Sequence, residues 1–233
     1  MSDVASLAEA GATAGLVVVA GAQTAGQGRA GRTWIAPAWT SLLCSALLKP
    51  ALPSSALATL SLIVGLAAAE AIEARIPVRI KLKWPNDLWL GDSKLGGVLV
   101  KARSCGDSET TIIVGIGINL GGSVEALPPG AISISAAGYT APSIAEVLAS
   151  LLDRLEVHYR KWSECEGRVD LDNWRSRAAL LGNEVTVEES GSILTGRFLD
   201  VADDGALILG CGDGPPRRIV AGDLIRGPRL RSG

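Results

Sequence analysis

The sequence predicts an α+β protein, with a mixed β-sheet packed with helices followed by a small C-terminal β-barrel. Strand-like runs and helical patterns are interspersed over residues 1–181. After Gly182 the chain holds only short strand-like runs separated by glycine or acidic turns, the pattern of a barrel of about 45 residues. With 233 residues, 48% of them hydrophobic, the chain can build one or two buried cores. We therefore predict a first domain over 1–181 and a second over 182–233.

The larger part is predicted to begin with a helix and two strands. Asp3–Ala10 has a helical pattern, and the β-branched run Leu16–Ala20 is typical of a buried strand. Thr40–Leu48, bounded by prolines, is a second strand. The segment between these strands, Gly21–Thr33, is rich in glycine and polar residues and is predicted to be a loop.

A long apolar helix is predicted to follow. Ser54 or Ser55 is expected to cap it, and it runs to about Arg75, just before Pro77. Its most continuous apolar stretch, 56–69, is too short for a transmembrane helix, which needs about 20 apolar residues. We therefore expect no membrane span here.

A dense β region is predicted next. It begins with the strand Arg79–Lys83, and a hairpin then joins Leu88–Leu90 to Lys94–Lys101. Thr110–Ile118 is a further strand, and the loop that follows it, 119–130, is rich in glycine and proline.

Helical patterns return after residue 142. Ser143 and Glu146 have the spacing of a capping box at the start of the strongest helical pattern in the chain. The apolar stripe of that helix consists of Ile144, Val147, Leu148, Leu151, Leu152, Leu155, Tyr159 and Trp162. A second helical piece is predicted from Asp170 to Leu180.

The C-terminal part is predicted to contain four short strands, Asn183–Glu188, Ile193–Asp200, Ala206–Leu209 and Arg217–Val220. The basic segment Arg226–Arg231 is expected to be a solvated end of the chain rather than a nucleic-acid arm.

Composition narrows the possible partners and the compartment. A formal net charge of −2 and a pI of about 5.5 argue against a basic nucleic-acid face. An export signal would be a positively charged segment followed by an apolar run, and the sequence does not open with one. We therefore expect a cytoplasmic protein. The cysteines are widely spaced and are expected to be free thiols rather than a disulfide framework or a zinc site: Cys44, Cys105, Cys165 and Cys211.

The single histidine limits the chemistry further. Because His158 is the only histidine in the sequence, a histidine-based metal cluster is excluded, and any Ser-His-Asp triad would have to use this residue. Because it lies beside the apolar stripe of a helix, we interpret it as a boundary residue. Lysine, arginine, asparagine, aspartate and glycine backbone must then carry most of the function.

The segment Gly26–Gly31 has the glycine spacing of a dinucleotide-binding loop, but its context differs from that motif. It does not directly follow a strand or open a helix, and no acidic residue occurs about 20 positions later. The loop still combines exposed backbone N–H groups with Arg29 and Arg32, a combination suited to an anionic ligand. We therefore predict that it closes over such a ligand rather than being a flexible surface loop.

Lys83–Asp87 is predicted to be a rigid bend at the end of a strand. Pro85 fixes its own φ and keeps Trp84 out of the helical region, so that Asn86 and Asp87 are presented at a defined place. Residue types alone leave two interpretations of Trp84 open. It packs against a flat heterocycle such as adenine, or it belongs to the core.

Two further strands carry glycines in unusual positions. In Lys94–Gly97, alternation along a strand predicts that Lys94 projects over the bare surface left by Gly96. Such a lysine suits a phosphate or carboxylate. Gly115–Asn119 is predicted to bring a second amide to the end of its strand.

In this order, these motifs resemble the biotin–protein ligases. The motifs that carry the resemblance are Gln23, the glycine–arginine loop ending at Trp34, Lys83–Asp87, Lys94–Gly97 and Gly115–Asn119. The similarity runs from about Ala5 to Arg226. It implies a catalytic domain like those of class II aminoacyl-tRNA synthetases and biotin ligases, an SH3-like C-terminal barrel, and the monofunctional type without an N-terminal DNA-binding domain.

The resemblance also implies a cytoplasmic ATP-dependent ligase. Biotin's carboxylate attacks the α-phosphorus of ATP, which enters with Mg²⁺, and gives biotinyl-5′-AMP and pyrophosphate. A lysine of a biotin carboxyl carrier protein or domain of a carboxylase then displaces AMP. Both nucleophiles arrive with the substrates, so the enzyme has only to position them and neutralise charge. No nucleic acid or membrane partner is implied, and a monomer or a homodimer is compatible with the resemblance.

Residue roles follow from the motif matches. The implied catalytic residues are Lys94, Arg29 and Asp87. The implied biotin-binding residues are Gln23, Gln27, Gly28, Arg29, Lys94, Gly96 and Gly97. The implied ATP-binding residues are Arg29, Arg32, Trp34, Asn86, Lys94 and Asn119, and no protein metal site is implied. Lys94 is expected to bridge the biotin carboxylate and the α-phosphate, and Asp87 to guide the incoming amine.

The chain departs from the family pattern at two places. The family usually has arginine where this chain has Gln27, so one cationic contact is missing. A Ser-Thr-Asn motif usually precedes the first helix, where this sequence has Met1 and Ser2, and we expect the natural start to lie upstream. Two alternatives remain: a lipoate–protein ligase, which shares the adenylate chemistry, and a catalytically impaired protein that binds biotin or nucleotide.

Overall fold

The computed structural model describes residues 1–52, 56–105, 109–189, 191–212 and 214–226. Its helices are α1 (Ser2–Glu9), α2 (Leu57–Glu73), α3 (Ile144–Glu164) and α4 (Leu171–Arg175). The strands of the first sheet are β1 (Val17–Val19), β2 (Ser41–Leu48), β3 (Ile80–Lys83), β4 (Asp87–Leu90), β5 (Ser93–Cys105) and β6 (Glu109–Asn119). Those of the second sheet are β7 (Glu184–Glu189), β8 (Ser192–Val201), β9 (Leu207–Gly210), β10 (Arg217–Ile219) and β11 (Asp223–Arg226).

The first sheet is six-stranded, with strand order β1-β2-β6-β5-β4-β3 and antiparallel pairing throughout. α2 and α3 cover one of its faces and bury the apolar side chains of the central strands. On the opposite face, α1 packs Val4 and Ala5 against Leu47 and Ile113 at one end. The remainder of that face carries the cavity described below.

The two long helices form for the reasons the sequence indicates. In α3, the Ser143 side chain accepts a hydrogen bond from the Glu146 N–H while Glu146 bonds back to the Ser143 N–H, which confirms the predicted capping box. α2 is apolar nearly all round and correspondingly buried. Ser54 and Ser55, the predicted caps of α2, lie outside the described residues, and the described N-cap is Ala56, which makes no side-chain cap bond.

The second sheet has strand order β10-β9-β8-β7-β11, again antiparallel. The four predicted strands correspond to β7–β10, whereas β11 was not predicted. Both sheets contribute to one continuous hydrophobic cluster, in which Phe198 and Leu207 of the second sheet join Leu82 and Trp84 of the first part. Polar contacts also cross between the parts, and one of them is an ion pair. Arg175 pairs with Asp200 through two nitrogen–oxygen contacts of 2.6 and 2.9 Å.

Two predictions about local structure were wrong. β1 is an edge strand whose Val19 is 44% exposed, so the β-branched run at Leu16–Ala20 does not mark a buried strand. The predicted helix over Asp170–Leu180 ends at Arg175. The following backbone instead pairs with the edge strand β3: the Leu82 N–H donates to Arg177 and the Ala179 N–H donates to Leu82. Pairing with an open sheet edge satisfies these backbone groups as well as a helix would.

The described cysteines are free thiols. Burial raises the pKa of the Cys44 thiol to about 12, which makes that thiol unreactive near neutral pH. Cys165 is exposed and Cys211 is partly buried, while the side chain of Cys105 lies outside the described part. Within the ranges described above, none of the helices is both long and apolar enough to cross a bilayer.

His158 is a structural residue between the two long helices. Its Nε2 lies 2.9 Å from Oε2 of Glu70, and the amide of Asn173 donates to the same carboxylate at 3.1 Å. Burial would raise the pKa of Glu70, but the hydrogen bonds from His158 and Asn173 outweigh it and lower that pKa. The stability supplied by this lowered pKa is present above the ordinary glutamate pKa and is lost as pH falls through the lowered value.

We expect His158→Ala to lower the free energy of unfolding at pH 7 by about 1–2 kcal/mol, because it leaves a partly buried carboxylate with one fewer hydrogen bond. Urea unfolding measures the change. The loss should shrink in acid, where Glu70 is protonated in both states. An unfolding free energy at pH 7 equal to that of the unmodified protein would contradict a structural role for this contact.

Candidate active site

The cavity on the open face of the first sheet has a volume of about 390 Å³ and a floor built of residues paired across strands. One row, running from β2 to β4, consists of Leu43, Gly117, Gly97 and Asp87. The next row consists of Ser45, Gly115 and Leu99. Three glycines therefore meet at the centre of the sheet and leave a patch of bare backbone.

Side chains from outside the sheet lie directly over these glycines. A Cβ on Gly117 would lie 2.7 Å from the Trp34 ring, and one on Gly115 would lie 2.7 Å from Sδ of Met1. The rigid Trp34 ring leaves no room for a side chain at residue 117, so its close approach accounts for Gly117, whereas the flexible Met1 side chain covers Gly115 and could move aside. Close approach of the Trp34 ring therefore explains one of the two glycines in the strand motif Gly115–Asn119.

Lys94 lies over Gly97 rather than over Gly96, and the alternation prediction was therefore wrong. Trp89 pairs with Lys94 while Leu88 pairs with Gly96, so Leu95 is an extra residue that forms a β-bulge. The bulge moves Lys94 and Gly97 to the same face, with Nζ 3.6 Å from the position of a Gly97 Cβ. Gly96 faces away from the cavity, where its Cβ would contact the Gly117 carbonyl at 2.6 Å.

The ammonium of Lys94 and the carboxylate of Asp87 form an ion pair at the edge of the floor. Nζ lies 2.6 Å from Oδ1, and the side chains are 38% and 16% exposed. The same ammonium lies 5.8 Å from the centroid of the Trp34 ring. A cation is thus held between an acid, an aromatic face and bare backbone, a setting suited to an incoming anion.

The glycine-rich loop closes over this floor. Its backbone forms a tight turn in which the Gly28 N–H donates to the Arg32 carbonyl at 2.7 Å and the Arg32 N–H donates to the Arg29 carbonyl at 3.0 Å. Nη1 of Arg29 donates to Oδ1 of Asn86 at 3.2 Å, which joins the loop to the Lys83–Asp87 bend. Burial lowers the pKa of Arg29 and the Arg32 charge adds to this, while Asp223 opposes it. The guanidinium stays charged at neutral pH.

The two loop glutamines take different positions. Gln23 is exposed and lines the cavity near its rim. Gln27 also lines the cavity, and its Oε1 accepts a hydrogen bond from Nζ of Lys101 at 2.5 Å. A lysine of β5 therefore lies beside the position where the sequence predicts a missing cation.

Trp34, Asn86 and Asn119 were predicted to bind the nucleotide, and the two asparagines also hydrogen-bond to backbone carbonyls. Nε1 of Trp34 is buried without a hydrogen-bond partner. Asn119 is buried, accepts from Ser41 and donates to Ile132 at 3.1 Å. Asn86 donates to the Val98 carbonyl at 2.6 Å. All three line the same cavity.

Trp84 belongs to the core, so the structure decides between the two interpretations of this residue. Its side chain is 1% exposed, and Nε1 donates to the Gly205 carbonyl in the second sheet's β8–β9 turn at 2.9 Å. Trp84 does not line the cavity, and it anchors the bend that presents Asn86 and Asp87. The neighbouring Lys83 lies 5.0 Å from the centroid of Trp89, and burial lowers its pKa.

Sequence reasoning missed two contributors to the site. Asp223, the first residue of β11, lies 2.8 Å from Nη2 of Arg32. Residues 128–131 line the cavity and hold the backbone of Lys94, whose N–H donates to the Gly130 carbonyl at 2.9 Å. The Ala221-Gly222 pair is typical of a turn, and the apolar residues Leu224 and Ile225 follow shortly after it. This pattern could have predicted β11. No local signal indicates that either segment reaches the loop or Lys94, because both contacts are long-range.

Among the described residues, no group of three potential metal-ligating side chains is brought together. The site thus consists of lysine and arginine cations, the Asp87 carboxylate, amides, one aromatic ring and bare backbone. The fold and this site define a class of α+β proteins that bind an anionic small molecule and stabilise negative charge on it.

Comparison with known proteins identifies the family within this class. Residues 4–119 match the biotin/lipoate A/B protein ligase family, and residues 180–227 match the biotin protein ligase C-terminal domain. The chain is 32% identical to the biotin–[acetyl-CoA-carboxylase] ligase of Mycobacterium tuberculosis, over 91% of this chain and 79% of that protein. It is 33% identical to the corresponding ligase of Paracoccus denitrificans, over 82% of each. The chain belongs to the biotin protein ligase family.

Solved structures agree with this assignment. The biotin protein ligase from Aquifex aeolicus in complex with biotin and ATP superposes with a TM-score of 0.81 at 28% identity, covering 94% of this chain and 92% of that one. The expected fold class, a biotin-ligase-like mixed sheet with helices and a small C-terminal β domain, is confirmed.

Proposed function

We propose that this protein is an ATP-dependent biotin–protein ligase that activates biotin as biotinyl-5′-AMP and transfers it to a lysine of a carboxylase carrier domain. The observation that carries the proposal is the placement of the Lys94 ammonium over bare backbone at Gly97, facing the loop that carries Arg29. The relatives named above are biotin ligases, and one of the similar structures holds biotin and ATP.

In the first step, a carboxylate oxygen of biotin attacks the α-phosphorus of ATP and pyrophosphate leaves. Two anions must approach each other, so the barrier depends on neutralising their charge. Lys94 would bridge the biotin carboxylate and the α-phosphate. Arg29 and Arg32 would neutralise the phosphates from the loop, and Trp34, Asn86 and Asn119 would hold the nucleotide.

For biotin itself, we propose that the ureido ring lies toward Gln23 and Gln27, with Gly28 and Gly97 allowing close approach of the ligand. Gly96 faces the other side of the sheet, so its part would be confined to packing against the β6 backbone. In this arrangement the carboxylate of biotin ends beside Lys94.

In the second step, the acceptor amine attacks the acyl carbon of biotinyl-AMP, and AMP leaves with the bonding electron pair. The amine must lose a proton as the amide forms. Asp87 faces the cavity and is held by Lys94 at 2.6 Å, so we propose that it guides the incoming lysine and accepts this proton.

We propose that Mg²⁺ enters this site with ATP rather than as a resident ion. Magnesium sites commonly use one or two carboxylates together with substrate phosphates, and Asp3 and Asp87 are the carboxylates that line the cavity. Asp87, whose carboxylate also pairs with Lys94, would be the side chain that holds the ion. When bound, the ion would neutralise phosphate charge and favour the departure of pyrophosphate.

Three further parts of the proposal concern organisation. We propose that the catalytic domain covers 1–181 and the C-terminal domain 182–233, and that the protein is cytoplasmic and acts as a monomer or homodimer. Biotin is favoured over lipoate because the C-terminal match, over 180–227, is to the biotin protein ligase C-terminal domain. We propose an active enzyme rather than an impaired binding protein because Lys94, Asp87 and Arg29 line one cavity.

The direct test is pyrophosphate release from purified protein supplied with biotin, ATP and Mg²⁺, followed by transfer of labelled biotin to a carrier domain. Lipoate in place of biotin serves as the substrate control. Release with biotin and transfer to the carrier lysine would support the proposal. Biotin binding in calorimetry without pyrophosphate release would instead indicate a binding protein.

We expect Arg29→Gly to release biotinyl-AMP into solution. Arg29 joins the loop to Asn86 and to the Gly222 carbonyl, so its loss removes two contacts that hold the loop over the cavity. The measurement is biotin labelling of a bystander protein such as serum albumin, and we expect it to rise at least about tenfold, as for the loss of a charge-assisted contact. Unchanged selectivity for the carrier would contradict a retaining role for this loop.

A further inference from the structure

A single carboxylate of the second sheet contacts both arginines of the glycine-rich loop. Oδ1 of Asp223 lies 2.8 Å from Nη2 of Arg32 and 3.7 Å from Nη1 of Arg29. The carbonyl of the preceding Gly222 also accepts a hydrogen bond from Nη1 of Arg29, at 3.3 Å. The start of β11 therefore meets the loop at three points, although it lies about 190 residues away in the chain.

The two arginines of the loop need a negative charge that another part of the chain supplies. Arg29 and Arg32 are three positions apart, and like charges this close repel each other. The backbone between them contains Ala30 and Gly31, both with positive φ, and a Cβ on Gly31 would meet no atom within 4 Å, so nothing packs against the turn at that point. A carboxylate that both guanidinium groups reach would hold them side by side.

Asp223 is itself held in place. It begins β11, where it pairs with Glu188 of β7, and the next residue, Leu224, is buried in the common core. The Asp223 side chain is 36% exposed, and those of Arg29 and Arg32 are 26% and 59% exposed. The contact is therefore a hydrated one, and we expect it to direct the two arginines rather than to stabilise the fold.

We propose that Asp223 is a positioning residue of the second sheet that sets Arg29 and Arg32 in the orientation that binds the phosphates of ATP. The inference rests on the function proposed above. In this arrangement a residue outside the catalytic domain acts mainly on the affinity for ATP. Arg29 is one of seven implied biotin-binding residues, and the others lie on β5 and in the loop, so the affinity for biotin would depend on Asp223 far less.

The test is Asp223→Ala, compared with Asp223→Glu as the conservative variant. We expect the KM for ATP to rise about tenfold in Asp223→Ala, the low end of the effect typical of one lost hydrogen bond to a charged group. The KM for biotin should change less than about twofold, and the melting temperature should stay near that of the unmodified protein. Asp223→Glu should recover most of the ATP affinity.

Asp200→Ala is the matched control. It removes another ion pair between the two parts of the chain, with Arg175 at 2.6 Å, and does not touch the loop. An equal rise in the KM for ATP in this control would show that any loosening between the sheets is sufficient and would overturn the inference. A fall in that KM in Asp223→Ala would also overturn it, because Asp223 would then compete with ATP for the arginines.

A failure of this inference can be distinguished from a failure of the proposed function. If the unmodified protein releases no pyrophosphate, the proposed function fails before Asp223 is tested. If the unmodified protein is active and Asp223→Ala has the same KM for ATP, only the positioning role is lost.

Discussion

Lys94→Ala is expected to reduce pyrophosphate release by about 10²–10³-fold, the effect typical of removing one group that stabilises developing negative charge. The ammonium of Lys94 lies over bare backbone and 2.6 Å from Asp87, and no other lysine lines the cavity formed by the described residues. The loss should appear in kcat, because the contact strengthens as the anions approach. Single-turnover formation of biotinyl-AMP measures it directly.

Lys81→Ala provides the matched control for this prediction. Lys81 lies on β3 of the same sheet, is exposed and does not line the cavity. We expect its removal to leave adenylation unchanged, and both variants should keep the melting temperature of the unmodified protein. Near-normal adenylation by Lys94→Ala would remove this residue from the mechanism.

Trp84→Ala is expected to lower the free energy of unfolding by about 3–5 kcal/mol, the cost of emptying the volume of a large buried aromatic side chain. Trp84 is 1% exposed and lies in the cluster shared by both sheets. Because it anchors the bend that presents Asn86 and Asp87, activity should fall with stability. Urea unfolding followed by circular dichroism gives the change.

Trp84→Phe separates packing from hydrogen bonding at the same position. It keeps most of the ring but leaves the Gly205 carbonyl without the indole donor, which lies at 2.9 Å. We expect this variant to lose about 1–2 kcal/mol, mainly from the unmet hydrogen bond. A loss below about 1 kcal/mol in Trp84→Ala would contradict the anchoring role.

The motifs predicted from the sequence converge in space to a large extent. Arg29, Asp87, Lys94 and Asn119 come from four separate segments, and all line the same cavity. The glycines at 97, 115 and 117 were recognisable because strands rarely contain glycine without a close neighbour. Their shared purpose became clear only from the strand register, which sets them side by side at the centre of the sheet.

Other features could not be predicted, because they depend on partners distant in the chain. Trp84 had two open interpretations, and burial against the turn at Gly205 decided between them. The helix predicted to continue past Arg175 gives way to pairing with β3, since an open sheet edge offers equivalent hydrogen bonds. Asp223 lies in a strand that sequence patterning missed.

The amino-acid sequence by itself determined the order of helices and strands up to β10, the capped start of α3 and the identity of most of the charged and glycine residues that form the site. These properties depend on neighbours a few positions away, which local periodicity and capping chemistry describe. Only the tertiary structure decided that Lys94 lies over Gly97 and that Asp223 meets Arg29 and Arg32. Both depend on pairing between strands, where one extra residue such as Leu95 changes which side chains share a face.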